Sequence, residues 1–385
     1  MTHQDGRLRL AVLQRVCPDY RVALFAALAA AENVELRLFI GGDIPQSKVR
    51  SARDLNGVPV TRLRTRFVRF GRRILPLHIG LIDELRRFKP AVILCEGESH
   101  FLGYLQAIYY RARYAKRTAL IHWCFITLPG ETQTRRGVIA IVKSYFRRYF
   151  DAFLVYSSFS RDRLTDLGED PQKVFVATNV GDVDRCVRLS DGIYETTSDA
   201  RRKLGLPDRF TALYVGTLSR NKRPDLLIDL AAQSGEDRYT YIIAGDGELL
   251  EHLRMRVTQE GLTHVRLAGK VRETLPLYYR AADVLLIPGR GGIVISEAMA
   301  FGLPVVVHQA DGTEYDLVQD GVTGLRVSGA GVEDFQAALE DLRADPLRRT
   351  RMASASQQAV RSLWTTGNMV SQIIHAARCA RSART

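Results

Sequence analysis

The residues best placed to do chemistry are glycines and cations that follow short apolar runs. In PGRGGIVISEAMAFGLPVVV (288–307), Gly289, Gly291 and Gly292 come directly after DVLLIPG and open a helix-forming segment that carries Glu297. Glycines let a ligand approach the backbone, and the bare amides of a helix N-terminus bind anions. YVGTLSRNKRPDLLIDL (214–230) sets Arg220, Lys222 and Arg223 in a turn between a strand and a helix. IIAGDGELLEHL (242–253) places a Gly-x-Gly ending at Gly247 between another strand and helix. VRLAGKV (265–271) is a strand ending at a glycine, followed by Lys270 and Val271. Each segment puts amides or cations at a strand's carboxyl end, which suits a phosphorylated ligand. Singly these patterns are common; their order and spacing make the set specific.

Such a set needs strands that end side by side. The first half offers LRLAVLQRV, VELRLFIGG, AVILCEG, TALIHWCF, AFLVYSS and VFVATN; the second offers TALYVGT, YTYIIAGDG, VRLAGK, DVLLIPG and PVVVHQ. Short runs that do not alternate fit strands buried on both faces of a parallel sheet. The segments between them carry helical spacing, as where Leu77, Leu81, Leu85 and Phe88 share a face between Pro76 and Pro90. Alternating strands and helices predict an α/β chain of doubly wound, Rossmann-like domains. The polar stretch 181–209 has no apolar run and holds the expected boundary, giving domains 1–195 and 196–366 that face each other across a cleft.

Taken together, GTLSRNKR, GDGELLEHL, GKV and PGRGGIVISEAMAFGLPVVV resemble the motifs of the retaining family 4 glycosyltransferases (glycosyl transferases group 1) of the GT-B fold. DGVTGLRV (320–327) resembles a further strand-ending segment of that family, and the likeness is looser before residue 205. It implies transfer of a sugar from a nucleotide diphosphate sugar with retention of configuration, without a metal or other cofactor. Arg220 and Lys222 match the cations that neutralise the departing diphosphate. Thr217, Gly247, Val271, Gly291, Gly292, Ile293 and Glu297 match the donor site, with Glu297 accepting the ribose hydroxyls. His122, in IHWCF, matches a catalytic histidine near the donor sugar. Tyr20 and Arg21, in VCPDYRVALFAAL, and Glu96 after its strand are candidates for acceptor contact. The last helix, 367–385, is expected to cross back to the first domain. Two departures stand out: the family's first glutamate, eight residues before Glu297, is Gly289 here, and Thr217 replaces an arginine.

The 385 residues carry a net charge of +13. The first 150 hold 26 Lys/Arg against 11 Asp/Glu, leaving +15, and the remainder is −2. One-sided basic charge attracts anionic lipid, nucleic acid or a phosphorylated substrate. In TRLRTRFVRFGRRIL (61–75), YYRARYAKR (109–117) and RRGVIAIVKSYFRRYF (135–150), arginines alternate with Phe and Tyr, as at a membrane interface. The same composition would suit single-stranded nucleic acid; the resemblance, whose family includes members that glycosylate lipid-linked acceptors, implies instead a lipid-linked glycan acceptor, as in surface polysaccharide synthesis, and a peripheral place on the inner face of the cell membrane, with no nucleic acid partner. The alternative is a binding protein or scaffold for anionic lipid or nucleic acid without transfer activity. A Rossmann oxidoreductase is disfavoured, because the turn after the first strand reads VCPDYR and not Gly-x-Gly-x-x-Gly. The five scattered cysteines lack metal spacing and read as reduced thiols in a cytoplasmic protein, and MTHQDGRLRLAVLQRV has no signal-peptide pattern.

Overall fold

A computed structural model describes residues 6–43, 50–55, 57–70, 73–96, 101–124 and 145–384. The chain divides into two compact units, Met1–Thr178 with Thr366–Thr385, and Asn179–Thr365.

The first unit runs β1 (Leu8–Gln14), α1 (Asp19–Ala30), β2 (Val34–Ile40), β3 (Val60–Arg62), β4 (Arg64–Phe70) and β5 (Arg73–Ile79). It continues with α2 (Leu81–Phe88), β6 (Val92–Glu96), α3 (Phe101–Tyr114), β7 (Ala119–Cys124), β8 (Ala152–Val155), α4 (Ser158–Asp166) and β9 (Val174–Val176). Seven parallel strands lie in the order β3-β2-β1-β6-β7-β8-β9, and β4 and β5 form a separate antiparallel hairpin. The central strands β1, β6, β7 and β8 are buried almost throughout, with β7 buried at every position. That explains runs with no alternation: a strand covered by helices on both sides has no wet face.

The helix expected to include Leu77 starts later. Leu77 belongs to β5, and α2 begins after Gly80, whose φ of 82° only glycine adopts readily. Leu81, Leu85 and Phe88 do share its buried face, worth roughly 2 kcal/mol each.

The second unit holds α5 (Val183–Asp191), α6 (Thr197–Leu204), β10 (Phe210–Val215), α7 (Asp225–Gln233), β11 (Tyr239–Ala244), α8 (Leu250–Gln259) and β12 (Val265–Gly269). Then come α9 (Leu275–Ala281), β13 (Val284–Ile287), α10 (Ile293–Ala300), β14 (Val305–Val307), α11 (Glu314–Leu317), β15 (Gly324–Arg326), α12 (Val332–Ala344) and α13 (Pro346–Ser362). Its parallel sheet has the order β12-β11-β10-β13-β14-β15. In chain order this is 3-2-1-4-5-6, the dinucleotide-binding arrangement, whose direction reverses between β10 and β13.

The division at 178/179 lies upstream of the expected 195/196. The polar stretch read as a linker forms two short helices of the second unit. α6 is set by a Thr196–Asp199 capping box and ends at Gly205 in the left-handed region. The Arg201 guanidinium, buried on α6, bridges Asp208 and Asp283 and donates to the Ala281 carbonyl at 2.9 Å. A polar helix buried by one arginine leaves no apolar periodicity to read.

The final helix, α14 (Thr366–Ser382), packs on α1, β7 and β8 of the first unit. Met369, Val370, Ile373, Ala376, Ala377 and Ala380 form its buried stripe. Arg384 then pairs with Asp151 at 2.7 Å, the carboxylate that also holds Arg111 at 3.0 Å.

Candidate functional site

In an open α/β sheet, neighbouring loops diverge where the strand order reverses, leaving a crevice at the carboxyl ends. In the second unit that point lies between β10, which leads to Lys222, and β13, which leads to Gly289–Gly292.

The turn after β10 rests on the turn after β11. Gly216 donates to the Ala244 carbonyl and Leu218 to the Asp246 carbonyl, both at 3.0 Å, and Leu249 donates to Leu218 at 3.1 Å. A Cβ on Gly245 would overlap the Gly216 carbonyl, and one on Gly247 would overlap the Leu218 backbone. The Gly-x-Gly is thus a bed for the neighbouring turn. The space that a side chain on Gly247 would need is filled by the Leu218 backbone.

The chain next makes a single 3-10 turn, Arg220–Lys222, and reverses at Arg223 with φ 52°. The reversal sends Lys222 back over the sheet end. Its Nζ lies 3.5 Å from where a Cβ on Gly216 would stand and 3.8 Å from the same point on Gly291. Burial lowers the Lys222 pKa, opposed by the negative charge of Asp311. Arg220 and Thr217 are exposed at the outside of this turn. Val271 is half-buried after β12, where Lys270 pairs with Asp246 at 3.1 Å.

Gly289 lies against the same turn. A Cβ there would stand 2.7 Å from the Asn221 carbonyl oxygen and 2.9 Å from the Lys222 carbonyl carbon, while Arg290 donates to Asn221 at 3.0 Å. With the turn so placed, position 289 has no room for a side chain.

Gly292 begins α10, and here the structure adds residues the sequence reading missed. A Cβ on Gly292 would overlap the Asp311 carboxylate and the Thr313 hydroxyl. Thr313 holds that carboxylate through its amide at 3.2 Å and its hydroxyl at 2.5 Å. Glu314 is fully buried and accepts from the amides of Ala310 at 3.1 Å and Gly312 at 2.7 Å. The signal was HQADGTEYDL, a polar run placed directly after a buried strand.

One turn into α10, Ile293 and Glu297 share a face. The Tyr279 hydroxyl donates to Glu297 Oε2 at 3.3 Å, and Tyr279 stacks on Phe301 at 5.0 Å. Oε1 lies 3.0 Å from where a Cβ on Gly181 would be, and the Gly181 amide donates to Ser296 Oγ at 3.1 Å. Burial raises the Glu297 pKa, while Tyr279 and Arg185 pull it down and Asp182 pushes it up. With 1.5 Å of rise per residue, Glu297 stands about 8 Å along the helix from its first amides. That is about the reach from a diphosphate to its ribose.

The first unit has its own reversal, between β1 and β6. Tyr20, Arg21 and Glu96 are gathered there. The Arg21 guanidinium is buried, 4.7 Å from the Trp123 ring centroid, 5.1 Å from Tyr156 and 5.6 Å from the exposed Tyr20. Burial raises the Glu96 pKa; Arg21, Arg15 and a hydrogen bond from Tyr156 oppose it. Trp123, Tyr156 and Arg15 were not singled out from the sequence.

His122 is placed elsewhere. Neighbours on a strand point to opposite faces, so Trp123 meets Arg21 while His122 turns under α3. Its Nε2 shares a 3.0 Å hydrogen bond with the Tyr104 hydroxyl, and its ring stacks on Phe150 at 4.9 Å. His122 is thus packed among aromatic side chains under α3, on the face of β7 opposite Trp123. Among the described residues, no three His, Cys, Asp or Glu side chains group as a metal site.

Residues 196–359 match the family described as glycosyl transferases group 1. This match lies within the second unit. The chain is 33% identical over 222 residues to a D-inositol 3-phosphate glycosyltransferase of Thermomonospora curvata, covering 51% of this chain and 49% of the relative. It is 32% identical over 200 residues to a GDP-mannose-dependent alpha-(1-6)-phosphatidylinositol monomannoside mannosyltransferase of Mycolicibacterium smegmatis, covering 48% and 52%. The matches thus span about half the length of these curated relatives. The Anabaena protein HepE, solved in complex with UDP, has the same fold over 97% of this chain and 99% of its own, with a TM-score of 0.72 and 17% identity. The chain has the GT-B fold, as the resemblance implied. In the second unit, Lys222, Gly291, Gly292 and Glu297 all lie at the sheet reversal or on the helix that starts there.

The basic segments are partly described. Residues 61–75 fall largely in β3, β4 and β5, where Phe67 and Val68 are exposed beside exposed Arg64, Arg66 and Arg69. In α3, Tyr114 carries Arg86 at 4.8 Å and Arg113 at 5.5 Å. Residues 135–144 lie outside the described residues. No helix among the described residues is long and apolar enough to cross a membrane.

Proposed function

We propose that this chain is a glycosyltransferase that moves a sugar from a nucleotide diphosphate sugar to an acceptor, with retention of configuration and without a metal ion. One observation carries the proposal: the Lys222 ammonium lies over Gly216 and Gly291 where the second sheet reverses, and the helix that starts there carries Glu297. As the sugar leaves, negative charge grows on the diphosphate. A cation and helix amides fixed in advance stabilise that charge more than the ground state, which lowers the barrier. Lys222 supplies the cation, and Arg220, exposed on the same turn, reaches the phosphates from outside. Glu297 accepts the ribose hydroxyls, and its partner Tyr279 keeps the carboxylate aimed.

The acceptor binds at Tyr20, Arg21 and Glu96 in the first unit. Glu96 accepts from a sugar hydroxyl, while the Arg21 cation on Trp123 and Tyr156 orients the acceptor. The acceptor is a lipid-linked glycan of surface polysaccharide synthesis, and the chain works at the inner face of the cell membrane. The exposed Phe67, Val68 and arginines of β4 support that location by the usual pairing of aromatics and cations with anionic headgroups.

The test is incubation with UDP- and GDP-sugars and a lipid-linked glycan acceptor. Acceptor-dependent release of one nucleoside diphosphate is expected, with the product's anomeric configuration matching the donor's by NMR. No release from any donor contradicts the proposal.

A further inference from the structure

We propose that Asp311 grips the transferred sugar from the loop after β14; the proposal rests on the donor-site function given above. Position 289 is closed by the backbone of Asn221 and Lys222, so no side chain can enter the site from that strand end. A carboxylate is nevertheless delivered to the same place. Asp311, in the loop after β14, lies against Gly292 at the start of α10 and is coupled to the Lys222 ammonium.

The loop is built to hold it there. Thr313 fixes the Asp311 carboxylate with an amide and a hydroxyl, and the buried Glu314 carboxylate ties down the amides of Ala310 and Gly312 on either side. Gly292 leaves the room that the Asp311 carboxylate occupies. A carboxylate beside a diphosphate site repels the bare anion, so such a residue weakens diphosphate binding unless it meets something else. Sugar hydroxyls are what it can meet, because an ionised carboxylate only accepts hydrogen bonds and a sugar next to the β-phosphate presents donors. Asp311 then separates the nucleotide sugar from the spent nucleotide: it favours the first and disfavours the second, which aids product release.

The experiment is calorimetric titration of the full chain and of Asp311→Asn with UDP, UDP-glucose, GDP and GDP-mannose. The wild type is expected to bind one diphosphate and its sugar nucleotide. Asp311→Asn is expected to bind that diphosphate at least as tightly, which also shows that the variant is folded. Its affinity for the sugar nucleotide relative to the diphosphate should fall about tenfold or more, as befits loss of a charged hydrogen bond. If Asp311→Asn binds no diphosphate, Asp311→Glu is read by the same ratio. An unchanged ratio, with diphosphate binding intact and abolished in Lys222→Ala, overturns the role of Asp311 and leaves the donor site standing. A wild type that binds neither diphosphate overturns both.

Discussion

The Tyr279 phenol donates to the Glu297 carboxylate at 3.3 Å, and this one bond opposes the burial that raises the Glu297 pKa. The carboxylate must be ionised to accept two ribose hydroxyls. Nucleotide affinity should therefore fall as pH drops through a midpoint above the ordinary 4.5 of a glutamate. Tyr279→Phe removes a bond that lowers the pKa, so it should move that midpoint upward. A pH series of titrations with the bound nucleoside diphosphate checks this; a midpoint that stays put in Tyr279→Phe removes Glu297 from the ribose site.

The same shift has a consequence for stability. The folded pKa of Glu297 lies above the unfolded one, so the folded state holds the proton more tightly. Stability then declines as pH rises through that interval, and the cost of the buried charge is fully present above it. Glu297→Gln should raise the melting temperature by a few degrees at neutral pH while abolishing nucleotide binding, with the gain shrinking as pH falls. Equal melting curves at neutral pH would show that Glu297 carries no such cost.

Restoring the family's glutamate should harm the protein. A side chain at 289 overlaps the Asn221 carbonyl and the Lys222 backbone. Gly289→Ala is expected to cost roughly 1–3 kcal/mol by overpacking, and Gly289→Glu to lose nucleotide binding by displacing Lys222. Urea unfolding and nucleotide titration read the two effects. A Gly289→Glu variant that binds better would show that the 220–222 turn yields.

How far the chain could be read from its sequence depended on which signals are local. The eleven apolar runs stand where strands are, because a strand covered on both faces must be apolar throughout; each overlaps a strand of the two sheets, VFVATN and PVVVHQ through Val174–Val176 and Val305–Val307 alone. β3, β4 and β5 were missed because their arginines hide any apolar pattern. Lys222, Gly291, Gly292 and Glu297 were legible because each sits at a strand–helix junction with its own spacing. What Gly247 packs against was not legible, since the Leu218 backbone that fills its space is 29 residues away in sequence. Asp311 and Trp123 were not legible, because their importance lies in what packs against them.

In the first unit, Arg21→Ala should raise the acceptor KM about tenfold and leave nucleotide affinity unchanged, because Arg21 belongs to the first unit and orients the acceptor. It also removes the largest influence holding down the raised Glu96 pKa. The pH below which acceptor binding fails should therefore rise. Kinetics with acceptor varied at saturating donor decide it; a change confined to donor KM would contradict the assignment.

His122 should prove structural. His122→Ala leaves a cavity beside Tyr104 and Phe150 and is expected to cost roughly 2–4 kcal/mol, with nucleotide and nucleotide-sugar affinities unchanged. Loss of sugar-nucleotide binding in a variant that remains folded would return it to the site.

Lys222 tests the central claim most directly. The measurement is calorimetric titration of wild type and Lys222→Ala with UDP and GDP. Binding of one of them by the wild type, weakened about a hundredfold or more in Lys222→Ala, is the result predicted for a cation that holds the diphosphate. Equal affinity in both proteins would contradict a donor site at the reversal of the second sheet.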